Sequence, residues 1–470
     1  MVFSFETLGN ASIQVFRDGK PLLITDPWLK GTCYFGSWAL DNPLDERQMQ
    51  NAIDSEYIWI SHGHPDHLHH ESLELLPKGK KIFLADHYNP EIAAMLTEMG
   101  FDVTILGYRQ WHSLGPDIRI LTVDNENQDS ILAVEAGDSL LLNLNDSPLC
   151  GEFSFFKKLA RNYARDKVYV FILCAIDADM KNIVDSEGRR LTPPPHELKK
   201  GMIWRTARLV DQLGGGHFVA SSSQHLYVRQ DALWANDYRI VWADVKEHWS
   251  RPAVDILEPF VTVDLATGAV TRNHPSQESD FSQITDANGE DDWEEKLSEQ
   301  DWSTVEDYFH RYETLASIVD FVDLSVGGER RRIAINAKRL VQTPAQKLRG
   351  IHFMVPAHSL RETAKWGYFD DLLIGNFMKT ELINVSLYPE FTPRIAKLGG
   401  NAKVLTNEDL ARFRWRYLRR NPYAFFSYRW EVFRDARLIP AITELAEVLH
   451  IKPLMKRIYR QFLLGDPSPG

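Results

Sequence analysis

The stretch Tyr57-Ile58-Trp59-Ile60-Ser61-His62-Gly63-His64-Pro65-Asp66-His67-Leu68-His69-His70 places five of the chain's 16 histidines within nine residues. It contains the pattern His-x-His-x-Asp-His, supplied by His62, His64, Asp66 and His67. Imidazoles and a carboxylate at this density have one common use, the holding of a first-row transition metal ion. Gly63 and Pro65 favour a tight, stiff turn, and histidines two apart point the same way when the loop is extended. One short loop can then serve two adjacent ions. The apolar run Tyr57 to Ile60 reads as a buried strand, and Glu71 to Leu76 as the start of a helix. The cluster therefore falls on a strand-to-helix loop, where α/β folds display their chemistry. Histidine clusters also arise on solvated loops as adventitious sites. The apolar strand in front and the regular spacing favour a built site. His69 and His70 lie beyond the pattern and read as surface residues.

Working outward, 470 residues are too many for one ordinary core, so two domains are expected. A hydrophobic fraction of 44% and a charged fraction of 25% are those of a soluble globular protein. The net charge of −12 argues against a general nucleic-acid binder, which would need a basic face. Cys33, Cys150 and Cys174 have no paired metal-ligand spacing, and their odd number argues against a disulfide framework. The N-terminus lacks a basic segment followed by an apolar one, and no apolar run approaches the roughly 20 residues that span a bilayer. A cytoplasmic setting without an integral membrane segment is expected.

Short strand-like runs dominate the first half, among them Ala11 to Phe16, Leu22 to Thr25, Lys81 to Leu84, Ile118 to Val123, Ile131 to Ala136 and Ser139 to Leu144. Longer amphipathic stretches follow from Cys150, at Phe153 to Arg165 and His196 to Leu213, around an apolar strand at Val168 to Cys174. Residues 276 to 300 are rich in Ser, Asp, Glu and Asn and read as an acidic, solvated linker or insertion. Residues 301 to 470 read as an α+β accessory domain ending in basic, aromatic helices. The basic runs Arg412 to Arg420 and Lys452 to Arg460 suit packing on that domain, or docking to an acidic partner, nucleotide phosphates or a membrane surface.

The metal loop resembles the signature of the metallo-β-lactamase fold superfamily, which implies an αββα sandwich of two mixed sheets between helices over about residues 1 to 260. In that superfamily an aspartate ends an early strand, matched by Asp26 in Leu22-Leu-Ile-Thr-Asp26-Pro-Trp-Leu and implied to orient a ligand. A later aspartate bridges two metals, matched by Asp146 after Leu140-Leu-Leu-Asn-Leu-Asn. A last histidine follows another strand, matched by His225 after Phe218-Val-Ala-Ser-Ser-Ser-Gln, with His217 as its rival. Between the first cluster and Asp146 the superfamily supplies a further histidine. This chain instead has Thr122-Val-Asp124-Asn-Glu126-Asn-Gln-Asp129-Ser130, and both His87 and His112 come too early. A carboxylate in that place hardens the site and adds negative charge, which favours iron or manganese over zinc. Asp129 is the first candidate, then Glu126, then Asp124. A solvated acidic loop without a ligand is the bland reading.

Further segments resemble one branch, the CMP-N-acetylneuraminate hydroxylases: Asp26-Pro-Trp-Leu-Lys-Gly followed by Tyr34-Phe-Gly-Ser-Trp38, then Gln128-Asp129-Ser130, Ile318-Val-Asp-Phe-Val-Asp-Leu-Ser325 and Trp366-Gly-Tyr-Phe-Asp-Asp-Leu-Leu-Ile-Gly375. The resemblance runs thinly from about residue 8 to about 385. Those hydroxylases carry a Rieske iron–sulfur domain ahead of the catalytic domain. Here the catalytic pattern begins within ten residues of Met1, and three scattered cysteines cannot build such a centre. The resemblance therefore implies a dinuclear iron oxygenase acting with dioxygen on a nucleotide- or carrier-linked small molecule, with electrons from a separate reductase or ferredoxin. His62, His64 and Asp129 would hold one ion, Asp66, His67 and His225 the other, with Asp146 bridging. Asp66 and Asp146 are the residues assigned to catalysis. The alternatives are a dinuclear zinc hydrolase of phosphodiesterase or lactonase type, or a binding protein that keeps the fold without catalysis.

Overall fold

The computed structural model describes residues 1–176, 181–273, 279–285 and 287–448. The strand ahead of the histidine loop, Tyr57–Ile60, alternates its side chains across a sheet. Trp59 turns one way and Ile58 and Ile60 the other, and these two directions separate the layers of the molecule.

The first sheet has eight strands in the order Val270–Arg272, Val261–Asp264, Phe3–Gly9, Ser12–Arg17, Lys20–Thr25, Tyr57–Ile60, Lys81–Ala85, Asp102–Leu106. Its Lys20–Thr25, Tyr57–Ile60, Lys81–Ala85 and Asp102–Leu106 strands run parallel, and Phe3–Gly9 pairs antiparallel on both sides. The second sheet has seven strands, Asp255–Leu257, His217–Ser221, Val168–Leu173, Ser139–Asn145, Ser130–Ala136, Ile118–Asp124 and Trp111–Gly115 in that spatial order. Phe5, Ile13, Val15, Leu23, Trp59 and Phe83 of the first sheet share one core with Ile120, Leu132, Val134, Leu141, Tyr169 and Phe171 of the second. On the outer face of the first sheet, Ile24, Ile58, Ile60 and Leu84 pack with Ala52, Leu73 and Leu96 from helices Glu46–Asp54, His70–Glu74 and Glu91–Glu98. On the outer face of the second, Ile131, Leu140, Leu142 and Val170 pack with Phe156, Ile203, Val210 and Val245 from helices Phe153–Ala160, Pro195–Leu213 and Trp242–His248. This is the αββα sandwich that the metal-loop resemblance implies.

The first sheet runs past residue 260 by taking in Val261–Asp264 and Val270–Arg272. A third layer lies beyond it. A five-stranded sheet, Ile183–Val184, Lys379–Ile383, Gly350–Met354, Phe321–Val326 and Glu329–Ala334, packs with helices Glu299–His310, Ala357–Trp366 and Asp370–Ile374. Its core of Val322, Leu324, Phe353, Phe369 and Phe391 is continuous with Trp28, Tyr34, Trp38, Leu40 and Tyr227. The acidic stretch expected to be a solvated linker or insertion carries a buried anchor. Arg229 is fully buried, grips Asp231 through two nitrogens, bonds Asp291 at 3.0 Å and lies over the Phe377 ring at 3.8 Å. Asp291 in turn accepts the Ser359 amide at 2.9 Å. Residues 276–278 and 286 of that stretch lie outside the described residues.

Residues Met1–Leu149 and Phe153–Arg414 form one compact unit, and Cys150–Glu152 with Trp415–Gly470 a second. The second contains helix Pro422–Phe433, capped by Asn421, whose side chain accepts the Ala424 amide. The expected basic run from Lys452 lies outside the described residues. Among the described residues, no helix is long and apolar enough to cross a membrane. Cys33, Cys150 and Cys174 are buried and none of them forms a disulfide.

Candidate metal centre

The histidine loop leaves the parallel strand Tyr57–Ile60 and is tied down by its neighbours on both sheets. The Ser61 amide donates to Asp26 Oδ1 at 2.7 Å and its hydroxyl to Oδ2 at 2.8 Å. The Ser61 carbonyl accepts the Ser130 hydroxyl at 2.6 Å and is 3.0 Å from His87 Nε2. Asp26 has φ 40° at its strand end, a conformation that turns its carboxylate beneath the loop.

These contacts fix the proton positions on the histidines. The Ser61 hydroxyl spends its hydrogen on Asp26, so at 2.9 Å it can only accept from His62 Nδ1. His67 Nδ1, 3.0 Å from Asp26 Oδ2, donates to that carboxylate. Both rings therefore turn Nε2 away from Asp26. On His67 burial opposes a charge, but Asp66, Asp146 and Asp26 outweigh it and push the imidazole well up, so an ion bound there would displace its Nε2 proton. His64 Nδ1 meets His62 Nε2 at 2.8 Å, and His64 Nε2 meets Asp370 Oδ2 at 2.8 Å. Burial opposes a charge on His64, but the hydrogen bond and charge of Asp370 overcome it and lift the imidazole to about 10. In the metal-free state His64 is thus an imidazolium donating at both ends, and an ion between His62 and His64 would displace the Nδ1 proton.

Asp146 follows the strand Ser139–Asn145 and lies opposite. Its Oδ2 is 3.7 Å from His62 Nε2 and its Oδ1 3.6 Å from His67 Nε2. Ligand atoms of His62, His64 and Asp146 all lie within 4.8 Å of one another. Asp66 is also close, with Oδ2 at 3.4 Å from His67 Nε2. Its Oδ1 accepts the Tyr34 hydroxyl at 2.5 Å and its Oδ2 the Asn10 amide at 2.8 Å. Burial would raise the Asp66 carboxyl, but His67 and the Tyr34 bond hold it well below the usual range.

Asp129 sits in the tight hairpin between Ile118–Asp124 and Ser130–Ala136, where Gln128 has φ 65° and Asn125 N bonds the Asp129 carbonyl at 3.1 Å. Its side chain is buried, accepts from Asn127 Nδ2 at 2.6 Å, and feels the charges of His64 and His67. Burial pushes its carboxyl up. It is not one of the three residues whose ligand atoms converge within 4.8 Å. Asp124 and Glu126 are buried in the same turn. His225 enters from the strand His225–Tyr227 and stacks on Trp38 at 3.5 Å and 5°. Burial, then the charges of Lys181 and Arg239, lower its pKa. The rival His217 stacks on Tyr169 and bonds the Asp166 carbonyl at the strand's start.

Two sequence readings need correction. His69 is buried rather than superficial: its ring accepts from the Ser72 amide and caps the helix His70–Glu74, while His70 is exposed. Asp370 was missed as a site residue, being 306 positions from His64. Its signal was the pair Asp370-Asp371 in the otherwise apolar run Tyr368-Phe-Asp-Asp-Leu-Leu-Ile, since carboxylates buried among apolar neighbours need a cationic or hydrogen-bonding partner.

The residues suit a cation. His67 Nε2, Asp146 Oδ1 and His225 Nδ1 are buried and make no hydrogen bond to the described residues. Buried polar atoms are rarely left so. An ion among His62, His64, His67, Asp66 and Asp146 would satisfy the first two and balance the carboxylates.

No known protein-family profile matches the chain. It is similar to the cytidine monophosphate-N-acetylneuraminic acid hydroxylase of Danio rerio, 24% identical over 139 residues that span 28% of this chain and 23% of that protein. The enzyme of that name from Asterias rubens is 28% identical over 109 residues, spanning 22% of this chain and 16% of that protein. The matches thus span less than a quarter of either relative. Among solved structures, a diiron β-hydroxylase from Streptomyces venezuelae aligns over 57% of this chain and 54% of its own, with 14% identity and a TM-score of 0.35. A metallo hydrolase from Ignicoccus hospitalis aligns over 56% and 98%, with 14% identity and a TM-score of 0.35. A metallo-β-lactamase fold protein from Bacillus subtilis aligns over 56% and 100%, with 10% identity and a TM-score of 0.34. In sequence the chain resembles the CMP-N-acetylneuraminic acid hydroxylases, and its own sheets and helices form a metallo-β-lactamase-type sandwich.

Proposed function

We propose that this chain is a dinuclear metal oxygenase, with iron as its metal, that hydroxylates a C–H bond of a nucleotide- or carrier-linked small molecule. The observation that carries the reading is the donor set. Imidazoles of His62, His64 and His67 lie beside carboxylates of Asp66 and Asp146, Asp129 feels the charges of His64 and His67, and the hairpin 124–130 contributes acid and no histidine. Oxygen donors and negative charge favour iron or manganese over zinc. When bound, iron would supply the redox chemistry that transfers one oxygen atom of dioxygen to the substrate. The electron pair would come from a separate reductase or ferredoxin, and the second oxygen atom would leave as water.

The chain's own residues would set the geometry. Asp26 and Ser61 keep the Nε2 lone pairs of His62 and His67 turned to the ions. Asn10 and Tyr34 hold Asp66 in one rotation. His62, His67 and Asp66 are buried, which keeps bulk water from the loop. The similarity to proteins named as hydroxylases adds support over the matched segments.

A second reading, a dinuclear zinc hydrolase, has its own support: His62, His64 and Asp146 converge without Asp129, and zinc accepts such a set. Metal analysis and an optical spectrum of anaerobically purified protein separate the two. Iron is expected, with oxo-bridge absorption appearing once the protein is exposed to air, and zinc protein that stays colourless in air would favour the hydrolase. Asp129→His should abolish iron-dependent oxygenation. Retention of that activity would overturn the carboxylate argument.

A further inference from the structure

The third layer reaches two charged side chains of the metal loop. Asp370 Oδ2 holds His64 Nε2 at 2.8 Å, and the Tyr34 hydroxyl holds Asp66 Oδ1 at 2.5 Å. Asp370 starts the helix Asp370–Ile374 of that layer, and Tyr34 is buried in the core continuous with it.

Tyr34 is delivered by a disfavoured turn. Tyr34, Phe35 and Gly36 have φ of 52°, 57° and 76°, three left-handed residues in succession of which two are aromatic. L-residues with large side chains are rare there, and such backbone persists only where its surroundings hold it. The tethers come largely from one segment. Ser37 Oγ donates to the Gly375 carbonyl at 2.5 Å, and Phe35 meets the edge of Phe377 at 6.0 Å. Arg229, lying over Phe377, donates to the Phe35 carbonyl at 2.9 Å. Residues 370–377 therefore carry Asp370 and also clamp the turn that aims Tyr34.

We propose that Asp370 and Tyr34 are positioning residues for the two ions of the centre, each governing a different one. Asp370 keeps the His64 proton on Nε2, leaving Nδ1 to bind beside His62 Nε2. Tyr34 pins the rotation of Asp66, leaving its free lone pairs on the side of His67. The inference rests on the two-ion reading above and adds that the third layer, through segment 370–377, sets metal affinity.

The test is titration of the metal-free, full-length protein with cobalt(II), following visible absorption and the number of ions bound, with thermal unfolding of each metal-free variant alongside. Wild type should take up two ions. Asp370→Ala should weaken one of them by about 10- to 100-fold, the range for loss of an outer hydrogen bond to a ligand. Asp370→Asn should recover part of that loss, because its amide oxygen still accepts the His64 N–H. Tyr34→Phe should weaken the other ion by a similar factor, with the first ion's spectrum and the unfolding temperature unchanged. Wild-type uptake by both variants would overturn the proposal, as would equal loss of both ions accompanied by a lowered unfolding temperature. Wild type that takes up no cobalt would instead overturn the two-ion reading itself, a separate outcome.

Discussion

Asp26→Asn keeps the shape of a buried side chain and reverses its hydrogen bonding. In the native arrangement one oxygen accepts the Ser61 amide at 2.7 Å, and the other accepts the Ser61 hydroxyl at 2.8 Å and His67 Nδ1 at 3.0 Å. An asparagine can present oxygen on one side only. With nitrogen facing His67, Nδ1 must accept, the ring keeps its one proton on Nε2, and that nitrogen can no longer offer a lone pair to an ion. With nitrogen facing the Ser61 amide, two donors confront each other. Either way a charge-assisted hydrogen bond disappears, which costs about 1.5–3 kcal/mol of metal-free stability. Metal affinity should fall by roughly 10- to 100-fold, equivalent to about 1.4–2.7 kcal/mol. Urea unfolding of the metal-free protein reads the first quantity, and competition against a chelator of known affinity reads the second. Stability within about 0.5 kcal/mol of wild type, together with unchanged metal affinity, would refute the tautomer argument.

Three further outcomes follow from the same geometry. His64 binds its proton more tightly in the folded metal-free protein, about 10 against 6.5, so its contribution to stability is complete below pH 6.5 and is lost as pH rises to about 10. Urea midpoints across that window should show this decline, and Asp370→Asn should flatten it. Arg229→Ala strands Asp231 and the buried Asp291, and should destabilise the fold by about 3–5 kcal/mol in urea unfolding. Trp38→Leu removes the ring stacked on His225, and should lower the affinity for one ion while leaving the other intact in the cobalt titration.

Much of this centre was legible because local sequence and local geometry coincide there. Tyr57-Ile-Trp-Ile is a buried strand because its alternate residues serve two cores, and the loop after it keeps the spacing that brings His62 and His64 together. Asp26 and Asp146 were readable as strand-end carboxylates, and His225 as a histidine following a strand, though it also begins a short strand of its own. Asp370 and Asn10 were not readable as site residues, nor was the bond from Tyr34 to Asp66, because no periodicity connects positions that meet only after two layers have packed. His69 was misread for a related reason: a helix cap and a surface histidine look alike until the neighbouring Trp28 ring is in place, 6.0 Å away. The described part of the acidic stretch is largely exposed, as its composition suggests, but composition does not see Arg229 bonded to Asp291.

The short strand Ile183–Val184 comes from the sandwich half of the sequence yet pairs in parallel with Lys379–Ile383. Whoever trims the gene after the sandwich therefore leaves that strand with no ladder to join and bares Trp28, Trp38 and Tyr227 to water. Such a fragment would present sticky edges and greasy rings at once, a recipe for precipitation during expression. Shortened versions of this polypeptide should accordingly retain everything through Arg414, where the first compact unit ends.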